Sequence, residues 1–377
     1  METYIVMRQS PRVHQMTIEE FYSDDDYTPN SVGGPADTRT FVANKLVTLK
    51  NRDKAAALVQ KLKDFNQKYE QLRAAERKTL YREFFIPKKT GGWRRIDAPE
   101  DDLKNALYEL KGILEKDFGA LYHTSAFAYV KKRCTVDCVK RHQSNHSRWF
   151  AKFDLHDFFG STTLDFVMSM FERVFPFGDI MAHGGREELR KALELAFLNG
   201  GLPQGTPLSP TITNVMMIPV DFTLSKALRN FNGNSFVYTR YADDFIVSSQ
   251  YDFKVGEVEE LIVNTLKGFS APFTLNQEKT RYGSSAGRNW NLGVMLNSEN
   301  RITIGYKKKK RFQAALASYV MDNKNGKPWD KADVQVLAGY MAYYKMVEGN
   351  SIDELIKKVG DKFSVNIKEM VKADLAA

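Results

Sequence analysis

The run "FVYTRYADDFIVSS", residues 236–249, constrains the fold of this chain more than any other stretch. Apolar and polar residues alternate on both sides of Asp243-Asp244, and a period of two is that of a half-buried strand. Two such runs meeting at a short polar pair predict a β-hairpin with the acids in its turn, because Asp tolerates turn conformations that β-branched residues refuse. The carboxylates are therefore expected at the rim of a sheet. Adjacent carboxylates repel, and a third nearby would raise the pKa of one of them unless a cation neutralised the cluster. Oxygen-only ligands at such a rim suit Mg²⁺, which keeps part of its water and takes substrate phosphate oxygens as its remaining ligands.

Asp154 is the candidate for the third carboxylate. It closes a second strand-like run, "RWFAKFDLHDFFGS", and two strands side by side would bring it to the same rim. Three acids could then hold two Mg²⁺ ions about 4 Å apart, one activating an attacking hydroxyl and the other steadying the leaving pyrophosphate. That chemistry is phosphoryl transfer to a nucleotide 3′-hydroxyl. For Tyr-x-Asp-Asp alone, a polar hairpin turn without chemistry is the competing reading.

The rest of the composition is compatible with a polyanionic substrate. Among 377 residues, 55 Lys and Arg stand against 46 Asp and Glu, a net charge of +9. That excess favours an acidic partner without choosing between nucleic acid and an anionic surface. Cys134 and Cys138 are too few for a disulfide framework or a four-ligand zinc site, which fits a reducing cytosol. The start "METYIVMRQS" lacks a signal-peptide layout, and no apolar run approaches the roughly 20 residues of a membrane span. A cytoplasmic chain with no membrane partner is expected.

Residues 22–38 read as a loop or arm. From 41 to 80, Leu58, Leu62, Phe65, Tyr69 and Leu72 follow helical steps. "FFIPKKTGGWRRIDAP" at 84–99 predicts two short strands around a Gly-Gly turn, with Lys88, Lys89, Arg94 and Arg95 at its tip. Helices are expected over 101–117, 164–175 and 211–230, and from about 307 to the end. "FTLNQEKT" and "NWNLGVML" are strand candidates, and Ser351 with Glu354 has capping-box spacing.

In order and spacing, "FDLHDFF" at 153–159, "LPQGTPLSP" at 202–210, "YADD" at 241–244, "NQEKT" at 276–280 and "NLG" at 291–293 resemble the successive palm motifs of reverse transcriptases. Upstream, "IPKKTGGWRRIDAP" and "HTSAFAYVKKR" resemble the fingers motifs of the bacterial enzymes, so the likeness spans about 84–345. The pattern is similar to retron-type and defence-associated enzymes, although the Asn-Ala-x-x-His signature of typical retron enzymes is missing. The resemblance implies an α+β right-hand polymerase: an arm at 1–40, fingers at 41–145 and 165–203, palm at 146–164 and 204–296, and a helical thumb at 297–377.

It also implies roles. Asp154 and Asp243 would bind both metals, Asp244 would complete the cluster, and the Leu155 carbonyl would add a backbone ligand, with Mn²⁺ a substitute for Mg²⁺. Asp157 and Phe158 would lie under the triphosphate, with a structural turn acid as the alternative for Asp157. Phe159 would sit beneath the sugar and exclude a 2′-hydroxyl, or else be core packing. Gln204 and Gly205 would position nucleotide and template. Arg94 would lie over the triphosphate with Lys88 or Lys89 nearby, Arg95 being interchangeable with it by a one-residue shift. Lys279 would protonate departing pyrophosphate, with a surface lysine as the alternative. Lys131, Lys132, Arg133, Tyr241 and the run Lys307, Lys308, Lys309, Lys310 and Arg311 would meet nucleic acid, solvated faces being the other reading of these cations.

The implied reaction is RNA-templated addition of dNTPs to a primer, yielding DNA. The expected template is a noncoding RNA in an antiviral defence or retroelement system, with an accessory effector protein or a homo-oligomer as further partners. Protein-primed or template-independent DNA synthesis, and an inactive RNA-binding scaffold, are the rival expectations.

Overall fold

The computed structural model describes residues 4–9, 12–17, 49–88, 91–116, 122–229, 231–286 and 292–376. Lys89, Asn291 and most of the expected arm lie outside them. Within the arm, β1 (Tyr4–Gln9) and β2 (Arg12–Thr17) form an antiparallel pair.

The chain divides into two compact units: 1–134, 151–247 and 253–281 make the first, and 135–150, 248–252 and 282–377 the second. In the first unit the helix Leu49–Lys68 has Leu58, Leu62 and Phe65 wholly buried, as their spacing predicts. Among the described residues the expected single element over 41–80 is broken after Lys68. A five-residue helix, Glu70–Ala74, and a 3₁₀ turn, Arg77–Leu80, complete it.

β3 (Tyr81–Pro87) and β4 (Trp93–Pro99) form the expected antiparallel hairpin, closed where the Lys88 amide donates to the Gly92 carbonyl at 2.9 Å. Gly91 and Gly92 both take positive φ there, which a Cβ would disfavour. The helix Asp101–Lys116 follows and buries Leu103, Leu107 and Leu110.

A four-stranded sheet in the order β6-β7-β5-β8 is built from β5 (Trp149–Asp154), β6 (Phe236–Tyr241), β7 (Asp244–Ser249) and β8 (Arg281–Ser284). β8 was not expected. "FTLNQEKT" is not a strand: Leu275 makes a single bridge to Leu155, and Gln277–Lys279 is a 3₁₀ turn. The helix expected over 211–230 is two helices, Ser209–Met216 and Ile218–Leu228. Pro219 brings no N–H, so it is accommodated in a fresh first turn and not in a helix interior. The helix Leu164–Phe171 is capped by Thr163, whose hydroxyl accepts from the Phe166 amide at 3.2 Å.

In the second unit, β9 (Met295–Leu296) pairs with β10 (Ile302–Thr303), and four helices follow: Tyr306–Lys324, Lys331–Glu348, Asn350–Lys362 and Ile367–Ala376. Phe312, Leu316, Val334, Leu337, Ile352, Ile356 and Val371 form their buried seam. The expected capping box at Ser351 is absent. Gly349 caps that helix with φ +59 and no side-chain bond, and Ser351 lies inside it. No helix among the described residues is long and apolar enough to cross a membrane.

Candidate active site

β5 and β7 are neighbours in the sheet, and this adjacency builds the site. Beyond the strand end, the Leu155 amide donates to the Asp243 carbonyl at 3.1 Å, and the Asp154 carbonyl accepts from Asn276 at 2.8 Å. The turn between β6 and β7 is Ala242-Asp243, with Ala242 in the left-handed region at φ +58. Asp154, Asp243 and Asp244 thus share one end of the sheet, as the alternating runs predict.

Two lysines complete the cluster. Lys279 Nζ lies 2.8 Å from Asp154 Oδ1, and Lys152 Nζ lies 2.8 Å from Asp244 Oδ2. Burial, reinforced by the Asp154 charge, raises the Asp243 carboxyl above its ordinary pKa. Burial pushes Asp244 up to about 6, with Lys152 opposing and the other two acids adding to the rise. The hydrogen bond to Asp154 raises Lys279 in turn. Lys152 was missed in the sequence, yet it stands two residues before Asp154 on β5, so strand periodicity alone puts both on one face.

Among the described residues, no group of three or more His, Cys, Asp or Glu side chains is already gathered as a metal cage. The donor chemistry still fits divalent cations. Asp243 and Asp244, raised chiefly by burial with neighbouring acids adding to the rise, are groups that cationic charge relieves, and ammonium groups already pair with Asp154 and Asp244.

The turn after β5 positions the next candidates. Residues 156–161 are turn and not strand, so Phe158 and Phe159 diverge for a different reason from strand alternation. Phe158 is buried, and Phe159 stands half-buried against it with ring centroids 5.6 Å apart. Asp157 is exposed at φ +43, its carbonyl accepts from Ser161 at 2.8 Å, and its carboxylate fills the space beside Gly160.

Gly201 passes so close that an added Cβ would lie 2.1 Å from the Gly160 carbonyl oxygen. The Leu202 amide donates to the Phe159 carbonyl at 2.9 Å. The loop then reaches the β3-β4 hairpin, where the Asp97 amide donates to the Gln204 carbonyl at 2.8 Å. Gly205, at φ +117, leaves 2.7 Å between its hypothetical Cβ and Ile96.

The hairpin register separates Arg94 from Arg95. Arg94 pairs with Ile86 on the face that carries Ile96, whereas Arg95 pairs with Phe85 on the opposite face. Arg95 is engaged there by Glu83 at 3.0 Å and Asp97 at 2.8 Å. Lys88 is exposed near the tip.

Of the cations expected on nucleic acid, Lys131 and Lys132 are exposed. Arg133 instead donates to the carbonyls of His123 at 2.8 Å and Ala126 at 2.6 Å, closing its own loop. Tyr129 in that loop went unnoticed in the sequence. It is exposed at φ +62, and desolvation around its hydroxyl together with the charge of Asp243 raises its pKa. Tyr241 is half-buried at the end of β6. In the second unit, Lys308 donates to the Gly293 carbonyl and Lys309 pairs with Glu348, while Lys307, Lys310 and Arg311 are exposed.

A family model described as reverse transcriptase (RNA-dependent DNA polymerase) matches residues 86–312. The Retron Ec83 reverse transcriptase of Escherichia coli is 28% identical over 298 residues, covering 77% of this chain and 90% of that protein. The Retron Mx65 reverse transcriptase of Myxococcus xanthus is 26% identical over 297 residues, covering 76% and 66%. Among solved structures, a Candida albicans telomerase in complex with a TWJ fragment of telomeric RNA is similar with a TM-score of 0.45 and 11% identity, over 77% of this chain and 63% of that one. An apo Candida tropicalis telomerase truncated from its C-terminal domain gives 0.41 and 14%, over 61% and 55%. The chain thus spans less than two thirds of those telomerases, and at these scores the likeness is distant.

Proposed function

Since the chain belongs to the reverse transcriptase family of RNA-dependent DNA polymerases, we propose that Asp154, Asp243 and Asp244 are its polymerising centre and that it copies a noncoding RNA into DNA. The observation that carries this reading is the register bond from Leu155 to Asp243, which brings an acid from β5 beside the acid pair of the β6-β7 turn. The three carboxylates and the Leu155 carbonyl would hold two Mg²⁺ or Mn²⁺ ions. When bound there, divalent ions lower the pKa of the attacking 3′-hydroxyl and offset charge on the departing pyrophosphate.

The chain's own residues do the rest. Lys279, held on Asp154, would pass a proton to pyrophosphate once Asp154 is otherwise engaged, a role its ion pair in this cluster supports. Arg94 presents its guanidinium from the Ile96 face of the hairpin, and forked N–H groups suit phosphate oxygens. Arg95, neutralised by Glu83 and Asp97, is a hairpin strut. Gln204 and Gly205 would position nucleotide and template, the glycine letting their loop pack closely on Ile96 and Asp97 of the hairpin. Lys131, Lys132 and Tyr241 would face the duplex, and Lys88 the triphosphate. In this reading the fingers, palm and thumb boundaries follow the segments set out from the sequence, and the enzyme works in the cytoplasm.

Relatives named as retron reverse transcriptases support a retron-type element; an RNA template encoded within it and a role in antiviral defence are parts of the same proposal. Purifying the chain from its host and sequencing the RNA and DNA that accompany it tests this. Recovery of one RNA with its complementary DNA supports the reading, whereas DNA made equally without added RNA would establish template-independent synthesis. No DNA product at all would leave an RNA-binding scaffold.

Two further outcomes are expected. Phe159→Ala lowers discrimination against ribonucleotides by at least about tenfold, because a ring that fills space excludes an added hydroxyl by contact. Paired dNTP and rNTP primer extension measures it, and unchanged discrimination would return Phe159 to core packing. Neutralising Lys307, Lys310 and Arg311 reduces the slope of log affinity against log salt for an RNA-DNA duplex by about 2 to 3. Neutralising Lys308 and Lys309, which are tied to Gly293 and Glu348, lowers stability and leaves that slope alone.

A further inference from the structure

Arg240, the largest fully buried side chain among the described residues, is not at the catalytic surface, yet each nitrogen of its guanidinium donates a hydrogen bond. Nε and Nη2 make a bidentate pair with Asp221 at 2.8 and 2.7 Å, and Tyr238 Oη donates to the same carboxylate at 2.8 Å. Nη1 donates to two acceptors at 3.2 Å each: Asn214 Oδ1 and the carbonyl of Ala242. Asn214 in turn donates to the Ala128 carbonyl at 2.8 Å, and the Arg240 backbone bonds Ser125 and Phe127. The helices Ser209–Met216 and Ile218–Leu228 and the acid-bearing turn therefore meet on one side chain, and the loop before Tyr129 joins the same residue through its backbone and through Asn214.

Ala242 is the residue that needs such support. A left-handed φ is unfavourable for any residue with a Cβ, by about 1–2 kcal/mol, and Ala has no side chain with which to offset it. Its carbonyl is the last group before Asp243. A buried ion pair adds little net stability, because desolvation offsets most of the Coulombic attraction, so stability alone gives a poor reason for Arg240 and Asp221. The fork geometry gives a better one: a guanidinium held rigidly by Asp221 can aim a donor at a fixed point.

We propose that Arg240 is a positioning residue for polymerisation, fixing the left-handed Ala242 through Nη1 and thereby the direction in which Asp243 presents its carboxylate. This rests on the reading of Asp243 as part of the polymerising centre. Asp221 orients the fork, and Asn214 shares Nη1 and links the same guanidinium to the Ala128 carbonyl.

Arg240→Lys tests it, since an ammonium keeps the charge opposite Asp221 and loses the fork. The Mg²⁺ concentration for half-maximal dNTP incorporation should rise about tenfold or more, the usual effect of removing a group that orients a ligand. That quantity does not depend on how much of the protein is folded. As a readout apart from activity, amide exchange across 241–244 should quicken by about tenfold with exchange in the helix Leu49–Lys68 unchanged. A second variant, Asp221→Leu with Tyr238→Phe and Arg240→Met, replaces the pair by apolar groups and should show the same two changes. Unchanged Mg²⁺ dependence and exchange in a folded variant would overturn the proposal. Asp243→Ala run alongside separates the two readings: if it retains turnover, the assignment of the centre fails, and this inference with it.

Discussion

Replacing Asp243 and Asp244 together by Ala abolishes labelled-dNTP incorporation, a loss of about 10⁴-fold or more, which corresponds to roughly 5 kcal/mol of transition-state stabilisation. The folded state survives, because the carboxylates are a burden on the metal-free protein. Asp244 alone shows this most clearly. Its folded pKa of about 6 lies above its ordinary 3.8, so protonation favours the folded state. The associated stability is fully present below pH 4 and is lost as pH rises through 6.

Asp244→Asn has no such dependence. Measured by urea unfolding without divalent ions, its stability relative to the parent should climb between pH 4 and 6 and level off above 7. The gain is of order 1–2 kcal/mol, after allowance for a Lys152 that loses its charged partner. Incorporation should meanwhile fall at least about 10³-fold. A variant that loses activity and stability together at pH 8 would show that the acids are structural.

Gly201→Ala should be the most damaging single methyl group in the first unit. Its Cβ would fall 2.1 Å from the Gly160 carbonyl oxygen and 2.8 Å from the carbonyl carbon. Backbone cannot swing aside as a side-chain tip can, so the loop carrying Gln204 must part from the turn carrying Phe159. We expect a destabilisation of about 2–4 kcal/mol in urea, beyond the usual overpacking range because the clash is with main chain. The KM for dNTP should rise as Phe159 and Gln204 separate. Gly160→Ala is the control across the same contact. Its Cβ meets the Asp157 carboxylate, the movable end of an exposed side chain, and the change should stay within about 1 kcal/mol. Equal effects at the two glycines would refute the backbone argument.

The parts of the site legible in the sequence were those set by period and turn chemistry. Alternation of Phe236, Tyr238, Phe245 and Val247 marks the hairpin, and Asp243 falls in its turn. Leu58, Leu62 and Phe65 betray their helix by spacing alone. Partners fixed by tertiary approach were not legible. Arg133 looks like any other member of a cationic run until His123 and Ala126 turn their carbonyls toward it. Lys308 and Lys309 share that fate, because Gly293 and Glu348 are remote in sequence. β8 escaped notice because four residues, "RYGS", with a glycine among them carry too little pattern to register. Arg94 and Arg95 were indistinguishable until the pairing register assigned them to opposite faces.

The pairing of Lys152 with Asp244 and of Lys279 with Asp154 bears on how a polyanion approaches. Three carboxylates against two ammonium groups leave the floor of the cleft one negative charge from neutrality when all are ionised. If this cluster is the polymerising centre, a nucleoside triphosphate escorted by its own magnesium would meet only mild repulsion there, and a modest overall excess of cations would suffice to draw it in.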